Sequence, residues 1–264
     1  MLKLYEGSTS VCAIKVRLAL FEKEITFESC PIDLRAGDQF NPEYLKLNPK
    51  GVVPTLVDNS TPIVESSIIM QYVEDKHPER SLLPAEPFDR ARMRLWMKRI
   101  DDEVHPSTGN LTFATVHRNA FLALDATAQS EYLAKIPDAD RRQRRTAVFK
   151  EGLDAPIVVG SIKQFDKLIT DMESALGDAE YLAGDAYSLA DAAITPYVNR
   201  LFDLGLLQLW AESAPLVLGW FDAIKARGSF AQGVTEYLTE NDKTAFDAID
   251  PTTPQRVAHI LDGT

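Results

Sequence analysis

One five-residue segment, Val52-Val53-Pro54-Thr55-Leu56, constrains the fold of this chain more than any other. It is apolar and rich in β-branched residues, which is typical of a buried strand, and its proline stands where such a strand should begin. Proline has no N–H donor, so the pattern predicts a loop that enters a strand here. If the Val53–Pro54 bond is cis, the Val53 backbone is turned outward, where an extended peptide would pair with it.

A second segment, Glu65-Ser66-Ser67, follows a short apolar stretch at residues 62–64. We expect a strand at 62–64 and a helix over residues 66–76. A helix N-terminus with free N–H groups and a hydroxyl binds a carboxylate, and the adjacent Glu65 would hold an ammonium group. Backbone pairing beside an amino-acid head-group site predicts a receptor for a small peptide with a free α-amino acid end.

The rest of the first 80 residues alternates between strand and helix patterns. Residues 2–5 alternate like a strand, and residues 11–22 repeat apolar side chains at helical spacing. Further strands are expected at residues 25–33 and 53–57. The predicted order is βαβ, a loop, then ββα, which makes residues 1–80 an α/β domain.

Three motifs in this order resemble the thioredoxin-like domain of the glutathione transferase family. They are Ser10-Val11-Cys12-Ala13-Ile14-Lys15-Val16-Arg17, Leu47-Asn48-Pro49-Lys50-Gly51-Val52-Val53-Pro54, and Glu65-Ser66. The resemblance implies that the peptide is glutathione, used as a co-substrate. The residues expected to bind it are Lys50, Val53, Pro54, Glu65 and Ser66. For Lys50, which would pair with the glycine carboxylate, a solvated loop lysine is an equal alternative.

A second domain is predicted after a proline-rich linker at residues 81–87, because proline stops a helix and stiffens a chain. From residue 88 to residue 264 the apolar pattern is helical, so this domain is expected to be all-helical. Helices are predicted at residues 89–104, 161–176, 188–204 and 215–226. Ser188 and Asp191 have the spacing of a capping box with an acidic partner, which gives them a structural role.

Composition excludes several other classes of protein. The net charge of −11 argues against a nucleic-acid partner, since phosphate binding needs surplus Lys and Arg. Two cysteines, Cys12 and Cys30, lack metal-ligand spacing, so neither a disulfide framework nor a metal site is expected. The chain has no long apolar run and no cleavable signal pattern, which predicts a cytoplasmic protein without a membrane partner.

The candidate catalytic residues lie where the first strand turns into the first helix. Family members stabilise the glutathione thiolate with a hydroxyl or thiol at a helix N-terminus. By resemblance Ser10 takes the position of that hydroxyl, with Cys12 two residues further on. The alternatives are an ordinary N-cap for Ser10 and a small buried hydrophobe for Cys12. Ser8 and Thr9, in the same turn, are assigned to the electrophile pocket.

The remaining pocket residues are expected in the helical domain. The resemblance places the hydrophobic substrate near His105, Phe113 and His117, although a lone histidine is more often a satisfied packing group than a base. The basic run at residues 141–145 either forms a solvated helix face or attracts an anionic aromatic substrate.

Two subgroups of the family share features with this chain. Residues 84–96 and the outline of residues 105–160 resemble bacterial transferases that cleave β-aryl ethers in lignin fragments. The Ser10-x-Cys12 motif is instead similar to zeta-class isomerases and reductive dehalogenases.

The expected function is attack of glutathione thiolate on a hydrophobic, aromatic electrophile, in aromatic catabolism or detoxification, with β-aryl ether cleavage as a specific version. The alternatives are reductive dehalogenation or thiol exchange through Cys12, and a non-catalytic binding protein of the same fold. The resemblance also implies a homodimer.

Overall fold

The computed structural model describes residues 1–136 and 138–263, which form two compact units. The first unit contains Met1–Lys98, Ala175–Pro196 and Leu218–Asp242. The second contains Arg99–Ser174, Tyr197–Val217 and the residues from 243 onward. The expected domain boundary at residues 81–87 stays a prediction.

The strands of the first unit form one four-stranded mixed sheet. They are β1 (Leu2–Glu6), β2 (Phe27–Pro31), β3 (Thr55–Asp58) and β4 (Thr61–Ile63). Their order in the sheet is β2-β1-β3-β4, with β1 parallel to β2 and the other two pairings antiparallel. Helix α1 (Val11–Glu22) supplies the crossover that two parallel strands require.

The core of this unit lies between the sheet and two helices that contact each other, α1 and α3 (Ser66–Lys76). Leu4 of β1 and Leu56 of β3 are fully buried, as are Val16 of α1 and Met70 of α3. Helix α1 is buried over nearly its whole length, so it carries apolar residues on all sides.

The structure confirms the predicted bounds of α1 and α3, and it shifts the strands. β2 is shorter than the expected 25–33, and β3 begins after Pro54 rather than at residue 53. The predicted loop before β3 is wrong in part, because it contains α2 (Pro42–Leu47). Asn41 caps α2 by accepting from the Glu43 N–H, and proline occupies its first turn.

Beyond the sheet, the described residues form α-helices, short 3-10 and π-helical turns, loops and one isolated bridge between Tyr181 and Gly184. The α-helices after α3 follow in order along the chain. They are α4 (Pro87–Arg99), α5 (His105–Thr112), α6 (Arg118–Leu122), α7 (Ala126–Ala134), α8 (Ala139–Glu151), α9 (Pro156–Leu176), α10 (Leu189–Asp203), α11 (Pro215–Lys225), α12 (Gly228–Gly233), α13 (Glu240–Asp247) and α14 (Thr253–Asp262). The α/β-then-helical fold class is therefore confirmed. In the part of the chain that the structure describes, no helix is both long and apolar enough to cross a bilayer.

The capping box before α10 is also confirmed. The Ser188 N–H donates to the Asp191 carboxylate at 3.0 Å, and the Ser188 hydroxyl accepts from the Ala190 N–H at 3.2 Å. The same carboxylate accepts from the Trp220 indole at 3.0 Å. Burial raises the pKa of Asp191 against these hydrogen bonds, and the residue serves the fold.

The first residues of the expected linker are fixed to the first unit by Glu74. Its carboxylate accepts from the Ser81 hydroxyl at 2.6 Å and from the Leu82 N–H at 3.1 Å. Lys23, immediately after α1, reaches the same carboxylate at 2.7 Å, in a pair that is almost fully buried. These contacts order the chain at the point where it leaves α3.

Candidate functional site

Ser10 lies at the N-terminus of α1, immediately after the turn that follows β1. Its Oγ accepts from the Ala13 N–H at 3.3 Å, so the N-cap role is present. A hydroxyl that accepts in this way keeps its own hydrogen to donate. The cap and the proposed hydrogen bond to a sulfur atom are therefore compatible at this side chain.

Cys12 is the second residue of α1, and its thiol is partly exposed and outside any disulfide. The helix N-terminus favours negative charge there. Cys30 lies partly exposed on β2, an edge strand, rather than in the core. Burial raises the pKa of the Cys30 thiol, and the Glu28 carboxylate raises it further.

The turn that carries Ser8, Thr9 and Ser10 is held from the interior by Arg17. One guanidinium nitrogen donates to the Ser8 carbonyl at 2.7 Å, and another pairs with the Glu6 carboxylate at 2.8 Å. Burial raises the pKa of Glu6 while the Arg17 charge lowers it, and burial lowers the pKa of Arg17. This buried pair fixes the turn from the end of β1.

Ser8 and Thr9 have different surroundings. The Ser8 hydroxyl hydrogen-bonds the Asp242 carboxylate, which also pairs with Arg35 at 3.0 Å. Thr9 is partly exposed in the turn. Their assignment to an electrophile pocket stays a prediction.

The Val53–Pro54 bond is cis, which meets the condition under which the Val53 backbone would be turned outward. The preceding Val52 carbonyl accepts from the Tyr44 hydroxyl at 2.6 Å and from the Asn48 amide at 2.9 Å. Within the described residues the Val53 backbone has no hydrogen-bond partner. Two side chains that the sequence did not single out, Tyr44 and Asn48, thus fix this loop and leave Val53 available.

Glu65 and Ser66 begin α3, with Ser66 buried and Glu65 in a left-handed conformation with φ of 68°. The Glu65 carboxylate pairs with the Lys50 ammonium at 2.7 Å, although both side chains are more than half exposed. Its hydrogen bond raises the pKa of Lys50. The structure therefore joins two residues that the sequence assigned to opposite ends of one ligand.

Lys15 connects the two helices whose N-termini carry Ser10 and Ser66. Its ammonium group is fully buried and donates to the Ser67 hydroxyl at 2.7 Å. Burial of a charged group is costly unless it is hydrogen-bonded, so this contact holds α1 and α3 in register. The spacing of apolar residues in the sequence did not predict that Lys15 is buried, because apolar periodicity gives no position to a charged residue between them.

The three predicted pocket residues of the second unit separate into two places. His105 contacts Tyr197, with 3.4 Å between Nδ1 and the hydroxyl and the two rings perpendicular. Phe113 and His117 lie together, with ring centroids 4.8 Å apart. Both belong to a π-helical turn, Phe113–His117, and such turns are frequent at functional sites.

The Arg145 guanidinium lies over the Phe113 ring, with its carbon 2.8 Å from the ring centroid. Another member of the basic run, Arg142, donates to the Ile136 carbonyl at 2.8 Å. The interpretation of the whole run as a solvated face is therefore wrong for these two residues, whereas Arg144 is exposed.

Comparison with known proteins identifies the family. Residues 1–75 match the model for the glutathione S-transferase N-terminal domain, and residues 139–223 match the model for the glutathione S-transferase C-terminal domain. Glutathione S-transferase 3 of Zea mays is 30% identical over 239 residues, which are 88% of this chain and 93% of the maize protein. The chain belongs to the glutathione S-transferase family.

Two further relatives correspond to the two subgroups. Protein LigF of Sphingobium sp. strain SYK-6 is 29% identical over 234 residues, 86% of this chain and 90% of LigF. The crystal structure of that protein, described as a β-etherase, superposes with a TM-score of 0.80 at 26% identity, covering 88% of this chain and 98% of LigF. A zeta-class glutathione S-transferase of Euphorbia esula is 46% identical, but over only 90 residues, 34% of this chain and 40% of the plant protein.

Proposed function

We propose that this chain is an enzyme in which bound glutathione thiolate attacks an aromatic electrophile, and that the reaction is cleavage of a β-aryl ether. The observation that carries the proposal is the Ser10 hydroxyl at the N-terminus of α1, held in a turn that Arg17 fixes. The similarity to LigF, a β-etherase by its structure's description, supports the ether as the electrophile.

Glutathione would bind along the first unit at three points. The Val53 backbone pairs with the peptide, and the α3 N-terminus with Ser66 receives the carboxylate of the γ-glutamyl end. Glu65 takes the ammonium group of that end, and Lys50 the glycine carboxylate. Because Lys50 and Glu65 pair with each other at 2.7 Å, glutathione binding exchanges one exposed ion pair for two.

The chemical step is a displacement at the carbon beside a ketone. The thiolate sulfur forms a bond to that carbon, the carbon–oxygen bond breaks, and the aryloxide leaves with the bonding electrons and takes a proton from solvent. Ser10 donates a hydrogen bond to the sulfur, and the α1 N-terminus favours its negative charge. Holding both substrates together supplies the rest of the acceleration.

Product analysis tests this reaction. A β-aryl ether ketone incubated with the protein and glutathione should yield one phenol and one glutathione thioether for each ether consumed. Ether cleavage no faster than in glutathione alone would contradict the proposal.

A second candidate is thiol exchange through Cys12, which its partly exposed position in the first turn of α1 favours. Such an enzyme would carry a glutathione mixed disulfide on Cys12 during turnover. Cys12→Ser should then abolish activity, whereas under direct displacement it should leave most activity intact. Cys30→Ser is the matched control, because Cys30 is also partly exposed but lies on a strand.

A non-catalytic binding protein would bind glutathione without turnover. Glutathione at millimolar concentration should raise the melting temperature in all three cases, because a ligand that binds only the native state stabilises it. Turnover of any electrophile separates the enzyme from the binding protein.

We further propose a homodimer, from the family resemblance. Light scattering that reports a monomer at micromolar concentration would contradict it.

A further inference from the structure

Side chains from the segment between residues 113 and 149 form an aromatic cluster in the second unit. Phe121 and Phe149 are buried and stacked, with centroids 4.0 Å apart. Phe113 and Tyr132 contact Phe149 edge-on, at 5.8 and 5.9 Å. Arg145 covers the face of Phe113. We call these five residues the Arg145–aromatic cluster.

The cluster has a buried floor, and we call its three partly exposed residues the rim. Phe121 and Phe149 form the floor, while Phe113, Tyr132 and Arg145 are partly exposed. His117 lies at the same rim, 4.8 Å from Phe113. The rim residues come from three separate elements, the π-helical turn, α7 and α8.

Arg145 has an unusual charge environment at this rim. Burial lowers the pKa of its guanidinium to about 9, the Tyr132 hydroxyl raises it, and the Arg141 charge lowers it. In the described ranges no carboxylate pairs with Arg145. Charges withdrawn from water in proteins are normally paired, so a partly buried guanidinium left with rings, a hydroxyl and another cation is suited to an anionic ligand.

We propose that the Arg145–aromatic cluster binds the anionic group of an aromatic substrate, such as a benzoate or phenolate. The planar guanidinium would hold the carboxylate or phenolate by charge-assisted hydrogen bonds. The rings of the rim would contact the aromatic part of the same molecule. The inference deepens the proposed function, on which it rests for the chemistry, by naming the class of electrophile as anionic aromatic compounds.

A plain packing role for Arg145 makes a different prediction. If the guanidinium only covers Phe113, its removal changes stability and affects charged and neutral electrophiles alike. If it binds an anion, removal affects the charged ligand selectively.

The experiment compares two electrophiles that differ in one group, 4-chloro-3,5-dinitrobenzoate and the corresponding benzamide. In Arg145→Met the KM for the benzoate should rise about 10- to 100-fold, as expected for a lost charge-assisted hydrogen bond. The KM for the benzamide and the kcat for both should stay within about twofold. Arg144→Met removes an equal charge from an exposed position on the same helix and should leave both KM values unchanged.

A binding measurement keeps this test independent of turnover. Quenching of tryptophan fluorescence by 3,5-dinitrobenzoate reports binding without chemistry. Its Kd should rise about tenfold in Arg145→Met and stay constant in Arg144→Met. If Arg145→Met does not fold, Arg145→Lys replaces it and should weaken benzoate binding by a smaller factor, because the charge remains but the planar fork is lost.

The outcomes separate the two proposals. Benzoate binding that depends on Arg145 supports the subsite even where neither these aryl chlorides nor a β-aryl ether is turned over, a result that would contradict the proposed enzyme function. The subsite is overturned if Arg145→Met raises the KM for the benzoate and the benzamide equally, or if Arg144→Met raises the KM for the benzoate as much as Arg145→Met does. It is also overturned if 3,5-dinitrobenzoate does not bind the wild type.

Discussion

The turn before α1 and the Arg145–aromatic cluster are built in opposite ways. In the first unit, the turn with Ser10 is fixed by the buried ion pair of Glu6 and Arg17 and by the hydrogen bond that Arg17 donates to the Ser8 carbonyl. In the second unit, Arg145 meets rings rather than carboxylates within the described residues. Under the proposed function, the charge-paired turn would hold one sulfur position, whereas the ring cluster with one cation would accept different aromatic shapes. We therefore expect variants of the turn to affect all electrophiles, and variants of the cluster to change which electrophile is used.

The largest effect is expected from Ser10→Ala, which should lower turnover about 10- to 1000-fold with every electrophile. The loss follows because one hydrogen-bond donor to the thiolate is removed. Initial rates with saturating glutathione measure it.

Ser10→Ala also removes the N-cap, so Ser10→Asp serves as the control. Asp keeps an acceptor for the Ala13 N–H but places a negative charge beside the sulfur. This variant should keep wild-type stability and remain inactive. Turnover of Ser10→Ala within about threefold of the wild type would contradict the role given to the turn before α1.

The next largest effect concerns stability. Arg17→Met should lower the free energy of unfolding by about 3 kcal/mol, because it leaves the Glu6 carboxylate buried without its partner. Urea denaturation measures this loss. The double variant Glu6→Leu/Arg17→Met removes both charges and should recover much of it. A single variant within 1 kcal/mol of the wild type, on the order of an exposed pair, would mean that the pair does not fix the turn.

A buried carboxyl in the second unit, Asp203 on α10, is expected to make the stability depend on pH. Burial raises the pKa of this carboxyl to about 6, against the lowering effect of Arg200. Between about pH 4 and pH 6 the folded state therefore holds a proton that the unfolded state has released. Asp203 should make the wild type lose stability as pH rises through this window, by on the order of 2 kcal/mol.

The measurement is the unfolding free energy of wild type and Asp203→Asn at several pH values. The difference between the two should grow in favour of the variant as pH rises from 4 to 6. A difference that is constant over that range would show that Asp203 has an ordinary pKa.

The smallest effect is expected at the exposed pair of Lys50 and Glu65. Lys50→Ala should raise the KM for glutathione about threefold and change the unfolding free energy by less than about 0.5 kcal/mol, because exposed pairs contribute little. Lys46→Ala is the control, since Lys46 is equally exposed and pairs with Glu43 on α2. An unchanged KM would assign Lys50 to the solvated loop instead.

The sequence predicted the first region well, because its determinants are local. Ser10 and Ser66 mark helix starts by capping chemistry and helix-start patterns, and α1 and α3 begin and end where expected. The proline after Val53 likewise identified its loop. Strand ends were less accurate, since pairing with neighbours rather than local pattern decides where β2 and β3 begin.

The second region could not be derived from local pattern. A π-helical turn at Phe113–His117 shifts the helical period, so the face that Phe113 occupies does not follow from spacing by 3.6 residues. Helix α9 begins at Pro156, five residues before the predicted start, because a proline fits the first turn of a helix. The contact of Arg145 with Phe113 joins residues far apart in the chain, and a run of arginines carries no signal for it.

The central claim is that the first unit binds glutathione as a thiolate beside Ser10, and the ultraviolet absorbance of the thiolate tests it most directly. A difference spectrum of protein with glutathione at neutral pH should contain the thiolate band in the wild type and in Cys12→Ser. The band should be lost in Ser10→Ala. Absence of the band in the wild type, or an equal band in Ser10→Ala, would contradict the account.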